Sequence, residues 1–295
     1  MRGSDTLTLT TLPFVGLTIA LLVGLFAVMV YFSIPVLTRE GASFLLSTRW
    51  SATEEYYGVL PALWGTLYTS GIAILIAFPL SIGIVAFTYE YAPQQVRDFL
   101  QSLTFYSASI PTVLYGLWGL EFITPMIRVV SALLNLPGAS PTGQSIMSAG
   151  IVLALMNLPY ITLIVGEAYR AIPFTYIEAL HSLGAYGFDR FWVNFRMIGG
   201  AVLGALLLAF GKCIGETTAV SMVVGNSFNL AISPFEPGVT VSSVIVNYIS
   251  EAALYRYMFS ALYAAAFVML VINTLFILLG LRLVERVRKV TSVGL

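Results

Sequence analysis

Six runs of this chain are apolar over the roughly 20 residues needed to cross the hydrocarbon core of a bilayer. They cover residues 14–37, 60–87, 99–124, 146–165, 198–224 and 258–281. Backbone placed in hydrocarbon must satisfy its own polar groups, and runs of this length do so as helices. Four of the six carry no charged residue. The third carries only Glu121, near its outer end, and the fifth carries Lys212 and Glu216. Charged residues make up 9% of the chain, against about 25% in a soluble domain. The chain is therefore read as an all-α integral membrane protein with six transmembrane helices. Its first run exceeds the apolar core of a secretory signal and is not followed by an A-x-A-like cleavage site, so a retained helix is expected. A single cysteine, Cys213, and a single histidine, His181, argue against a disulfide and against Cys- or His-based metal centres.

Orientation follows from lysine and arginine in the loops. Arg2, Arg97, Arg170, Arg190, Arg196, Arg282, Arg286, Arg288 and Lys289 fall on one side of the six runs. Arg39, Arg49, Arg128 and Arg256 fall on the other. The richer side is the cytoplasmic one, and both termini are expected there. Residues 239–256, on the outer side, are moderately apolar but interrupted by Asn247 and Glu251, and Pro234, Pro237 and Gly238 precede them. A short interfacial or re-entrant helix is expected, rather than a seventh span.

The longest cytoplasmic loop covers about residues 167–197. Thr175 and Glu178 have capping-box spacing, and Gly184 is placed to end a helix in a left-handed conformation. A short helix over 176–183 is predicted, with Ile177, Leu180, His181 and Gly184 on one side. It reads either as an amphipathic connector or as a docking element.

In the fifth run, Lys212 and Glu216 would project about 40° apart on a continuous helix, one turn along, where they can meet. A charge near the bilayer centre costs roughly 2.5–3.5 kcal/mol on insertion scales, which pairing offsets in part. Two readings stand. The pair is a self-neutralising tie between helices, or it lines a path in which lysine attracts an oxyanion and glutamate keeps the hold from becoming too tight. Thr217, Thr218 and Ser221 offer hydroxyls to such an ion, or bond their own backbone. Gly200/Gly204 and Gly211/Gly215 have the spacing of close helix packing. Pro79, Pro111 and Pro159 predict kinks, and Glu121 is expected to snorkel or to be hydrated.

Glu178-Ala179-Leu180 followed by Gly184 resembles the EAA loop of ABC-transporter permeases, although the later I-x-L-P half is absent: Asn194, Arg196 and Met197 stand there. "SIPTVLYGLWGL" (109–120), "GKCIGETTAVSMVVGN" (211–226), "PGVTVSSVIVNYISEA" (237–252) and "EYAP" (90–93) resemble the PstC-type permeases of phosphate ABC transporters over most of the chain. That resemblance implies a type I importer permease of MetI-like fold, with residues 1–58 as an N-terminal helix and external loop and 59–295 as the permease domain. It implies a second, PstA-type permease, two ATP-binding subunits and an extracytoplasmic phosphate-binding protein as partners. Glu178, Ala179, Leu180 and Gly184 would form the coupling helix that docks on the ATPase. Lys212, Glu216, Thr217 and Thr218 would lie on the translocation path, with lysine where the family usually has arginine. ATP and magnesium would be held by the partner subunits. This chain has no Walker A loop, because Cys213 follows the one Gly-Lys pair and Leu206 stands where the upstream glycine is needed. Sulfate, molybdate or tungstate are alternative cargoes. An ion-coupled secondary transporter is a further alternative, but no inverted repeat of broken helices is visible.

Overall fold

In the computed structural model, residues 2–293 are described, and the side chains of residues 11–282. The side chains of Arg2, Arg286, Arg288 and Lys289, which entered the orientation reading, lie outside the described residues. The chain divides into two compact units, Met1–Leu60 with Asn247–Val271, and Pro61–Val246 with Ile272–Leu295.

The first unit pairs α1 (Arg2–Glu40) with the first half of α13 (Met258–Val293). Pro35 lies inside α1, and a proline there opens the local hydrogen-bond ladder. The next amide, Val36 N–H, donates to Ser260 Oγ of α13 at 3.0 Å. Phe32 packs its ring against Phe259 and Tyr263. A short helix α2 (Ser43–Leu46) and a hairpin of β1 (Trp50–Ser51) and β2 (Tyr56–Tyr57), with Trp50 opposite Tyr57, complete the unit.

The second unit is built around α7 (Ile146–Arg170), whose buried face includes Ala149, Leu153, Asn157, Ile161 and Val165. Against it pack α4 (Gln94–Ala108), α5 (Thr112–Trp118), α10 (Gly199–Gly215) and α11 (Thr218–Val223). The amides that open α7 have no partner inside their own helix. Ser148 N–H bonds the Ser145 hydroxyl at 3.2 Å. Ile146 N–H and Met147 N–H donate to the carbonyls of Glu236 and Pro234 at 3.1 and 2.7 Å. The segment after α11 is thereby clamped across the start of α7. Glycines permit the close approach: a Cβ on Gly65 of α3 (Leu60–Ala86) would lie 2.0 Å from Val239 O.

Among the described residues, five helices are long and apolar enough to cross a bilayer, and a sixth crossing results if α9 (Phe188–Met197) and α10, bent by 73° to each other, are taken together. Two expected spans differ from what is observed. The third, over 99–124, is divided after α4: Pro111 disfavours helix at the residue before it. The stretch long enough to cross alone is Thr112–Leu133, in which α5 passes through a π-helical turn at Gly119–Ile123 into α6 (Thr124–Leu133). Glu121 sits on that turn, exposed. The fifth, over 198–224, ends at Gly215 and resumes as α11. By contrast α3 and α7 remain helical through Pro79 and Pro159.

In the outer segment, α12 (Val241–Tyr248) does not lie on a surface by its first turn. Thr240, Val241, Ser243 and Val244 are buried, and Val241 N–H donates to Thr66 Oγ1 of α3 at 3.0 Å. The first turn of α12 is thus packed inside the second unit. Of the glycines noted in the fifth run, Gly211 faces α13, where its Cβ would lie 3.3 Å from Asn273 Oδ1. Nothing lies within 4 Å of a Cβ placed on Gly204 or Gly215, while Gly116 and Gly119 on α5 and its π-turn abut Ala219 and Val223 of α11.

Gly65→Ala is expected to lower stability by about 1–3 kcal/mol, since the carbonyl it would strike belongs to the clamped segment. Gly71→Ala, with nothing within 4 Å, should leave stability unchanged or slightly raised. Thermal unfolding of both variants in detergent tests the contrast.

Candidate functional site

The fifth run was expected to carry Lys212 and Glu216 on one continuous helix face. Instead α10 stops at Gly215, and Glu216 takes an extended conformation (φ −73°, ψ 125°) before α11 begins. Two glycines in the last turn of α10, Gly211 and Gly215, weaken helix propensity there. Breaking a helix in an apolar setting strands backbone groups, and several at the break have found partners. Glu216 N–H bonds Cys213 O at 3.2 Å. Glu216 O accepts the Ser242 hydroxyl of α12 at 2.8 Å. The Thr217 hydroxyl donates to Gly215 O at 3.3 Å. Thus α12 supplies one of the partners that the broken helix lacks.

The break also separates the two charges. Among the described residues no ion pair joins Lys212 to Glu216. Lys212 lies in the last turn of α10, where the helix dipole favours a cation, and its Nζ stands 5.0 Å from the ring centroid of Tyr160 on α7. Glu216 lies just ahead of α11, where the dipole favours an anion, and its Oε1 accepts Ala219 N–H at 3.2 Å. Each charge is stabilised by its own helix end rather than by the other. The ammonium is therefore not neutralised by a carboxylate, and Thr218, at the start of α11, is exposed. Asn157 on α7 is fully buried, donates to Cys213 Sγ at 3.0 Å and fixes the end of α10 against α7. Its Oδ1 has no partner. Tyr160, Asn157 and Ser242 escaped the sequence reading. The available signal was a lone asparagine in an otherwise apolar span, a residue expensive in hydrocarbon unless it is used.

A second cluster lies at the far end of α7. The loop helix is observed as α8 (Phe174–Ser182). The capping box does not form. Pro173, with its preset φ, is the N-cap, and no side chain caps the helix, so Thr175 lies inside the first turn. The C-terminal expectation holds: Gly184 has φ +78°. Its N–H bonds His181 O at 3.0 Å, and Ala185 N–H bonds Leu180 O at 2.9 Å, the paired bonds of a Schellman ending. Ile177, Leu180 and His181 turn partly inward, whereas Phe174, Glu178, Ala179 and Leu183 are exposed. The surface open to a partner is therefore opposite to the apolar side.

Behind α8, Glu90 sits in a π-helical turn, Phe87–Tyr91, that closes α3. Its side chain is 1% exposed. Arg190 of α9 donates through Nε to Glu90 Oε2 at 2.6 Å, and Tyr169 of α7 donates its hydroxyl to Oε1. Asn194 Nδ2 donates to Tyr169 Oη at 3.1 Å. Arg190 also contacts His181 Nε2 through Nη1. Because a guanidinium only donates, that imidazole nitrogen is the acceptor. The sequence reading met Glu90 only within "EYAP" and Arg190 only as an orientation charge.

The family model for the binding-protein-dependent transport system inner membrane component matches residues 80–289. A probable phosphate transport system permease protein PstC from Methanocaldococcus jannaschii is 36% identical over 307 residues, covering 99% of this chain and 97% of that protein. The phosphate transport system permease protein PstC of Haemophilus influenzae is 32% identical over 295 residues, covering 95% and 92%. In structure, the chain is similar to an inward-facing form of the MetNI methionine ABC transporter, with a TM-score of 0.61 and 16% identity over 78% of this chain and 95% of that one. At that identity the likeness shows the fold.

Glu216→Gln keeps an acceptor for Ala219 N–H, and stability within about 0.5 kcal/mol of the parent is expected. Glu216→Leu loses the cap and should cost about 1 kcal/mol. Denaturation midpoints of the two variants measure the difference; equal losses would mean that the charge itself, through a partner such as Lys212, is what matters.

Proposed function

The chain belongs to the family of binding-protein-dependent transport system inner membrane components, and on that footing we propose that it is the PstC-type permease subunit of an ATP-driven phosphate importer. It forms half of a translocation pathway with a second, PstA-type permease. Two ATP-binding subunits hold ATP and magnesium and carry out hydrolysis, and an extracytoplasmic phosphate-binding protein delivers the cargo. The chain itself has a transport role and no ATPase site. Both termini face the cytoplasm, on the side where α8 lies.

The observation that carries the pathway assignment is the break between α10 and α11. It leaves Lys212 with no carboxylate partner among the described residues and sets Glu216, Thr217 and Thr218 at the start of a helix. A lone ammonium over a tyrosine ring attracts an oxyanion by charge and, unlike a guanidinium fork, does not grip it in two places. Weak, single-point holding suits a site through which the ion must pass. The same chemistry accepts sulfate, molybdate or tungstate, so cargo choice is assigned to the binding protein. For coupling, Glu178, Ala179, Leu180 and Gly184 form the segment that docks on the ATPase, with Glu178, Ala179 and Gly184 on the exposed side of α8.

Two measurements on the reconstituted complex test these assignments. Lys212→Met should leave the complex assembled and reduce phosphate uptake roughly 30-fold or more, the scale of losing one charge-assisted contact of about 2 kcal/mol. Loss of assembly with this variant would instead make Lys212 a structural tie. Gly184→Trp, which places a side chain at positive φ on the docking face, should release or uncouple the ATPase; unchanged coupling would remove α8 from that role.

A further inference from the structure

The hold of the second unit on α8 is thin. No residue of α8 is buried, although Ile177 touches the core. Among the described residues, the side-chain hydrogen bond that leaves the helix is the one between His181 and Arg190. The α8–α9 turn nevertheless sits hard against the end of α3. Gly187 has φ +53°, and a Cβ there would lie 3.1 Å from the Tyr91 hydroxyl.

We propose that Arg190 is the positioning residue through which movement of α8 reaches the spans. Its guanidinium joins His181 of α8 to the Glu90 carboxylate at the end of α3, and Glu90 in turn holds the Tyr169 hydroxyl of α7. This rests on the assignment of α8 as the ATPase-docking helix. A buried ion pair is a poor source of stability, because packed apolar residues of equal volume do as well or better. It is a good source of register, because losing one partner strands the other charge without water. Here the stranded group would be a carboxylate whose side chain is 1% exposed. Its second oxygen already holds a phenol, so the whole set moves together or comes apart. The π-helical turn at Phe87–Tyr91 belongs to the same device. Its extra residue per turn re-aims side chains, as such turns do at functional sites, and Glu90 lies within it. A displacement of α8 is then passed as a push on α3 and α7 rather than absorbed by the loop.

The test uses the complete complex in proteoliposomes and reads ATP hydrolysed per phosphate delivered. Arg190→Gln should raise that ratio at least about fivefold, the lower end of typical coupling energies, with the ATPase subunits still bound. Arg190→Lys should restore part of the coupling, and adding Glu90→Gln to Arg190→Gln should change the ratio little further. An unchanged ratio in Arg190→Gln overturns the proposal. Should that variant not assemble, Arg190→Lys and Tyr169→Phe decide: a raised ratio in either supports the strut, and an unchanged ratio in both overturns it. Glu178→Lys separates the two levels. If it disturbs ATPase docking while Arg190→Gln does nothing, the strut alone fails. If it leaves docking and transport intact, the assignment of α8 fails.

Discussion

Hydrocarbon offers no hydrogen bonds, so a helix that breaks inside it must find new partners for every freed backbone group. This protein breaks one at Glu216, and the surrounding architecture answers that break. The Ser242 hydroxyl reaches Glu216 O, which requires the first turn of α12 to be buried rather than laid on a surface. That burial is held in turn by Thr66 on α3 and by the close approach of Val239 to Gly65. The segment between α11 and α12 then supplies carbonyls to the opening amides of α7. One broken ladder thus links α3, α7, α10, α11 and α12 through hydrogen bonds, beside the apolar core they share.

Charge is handled in two opposite ways. At the break, Lys212 and Glu216 are each placed at the helix end whose dipole suits them, and neither is consumed by the other. An ammonium in that state is not neutralised by a carboxylate, which is what the proposed pathway role requires. At the other cluster, Glu90 and Arg190 pair in a buried contact that also takes in Tyr169 and His181. The first arrangement suits transient binding; the second suits mechanical linkage. The two clusters lie at different heights along α7, which runs between them: Asn157 and Tyr160 meet the first, and Tyr169 meets the second.

Much of this was legible in the chain. Apolar length alone identified the crossings at residues 14–37, 60–87, 146–165 and 258–281, because the hydrocarbon thickness sets that length whatever the helices pack against. Gly184 announced its positive φ because few other residues adopt it without strain. Less was legible where two local signals competed. Thr175 and Glu178 had the spacing of a capping box, yet Pro173 began the helix earlier and made the box impossible. The glycines at 200, 204, 211 and 215 had the spacing of close packing, but at Gly204 and Gly215 no neighbour approaches. Gly211 does meet Asn273, and close approaches also occur at glycines 65, 116 and 119, on other elements.

What the sequence determined by itself is the solvent: the number and rough extent of the crossings, the presence of two charges in a medium hostile to both, and the motifs that carry the family likeness. Tertiary structure decided how those charges are used. Periodicity projects residues onto an unbroken helix, so it placed Lys212 beside Glu216. Whether the helix continues past Gly215 depends on whether its freed carbonyls find partners, and the partner, Ser242, lies 26 residues further along the chain. The same holds for Glu90 and Arg190, 100 residues apart. No local pattern in a sequence can bring such residues together, because their contact exists only once the helices between them have packed.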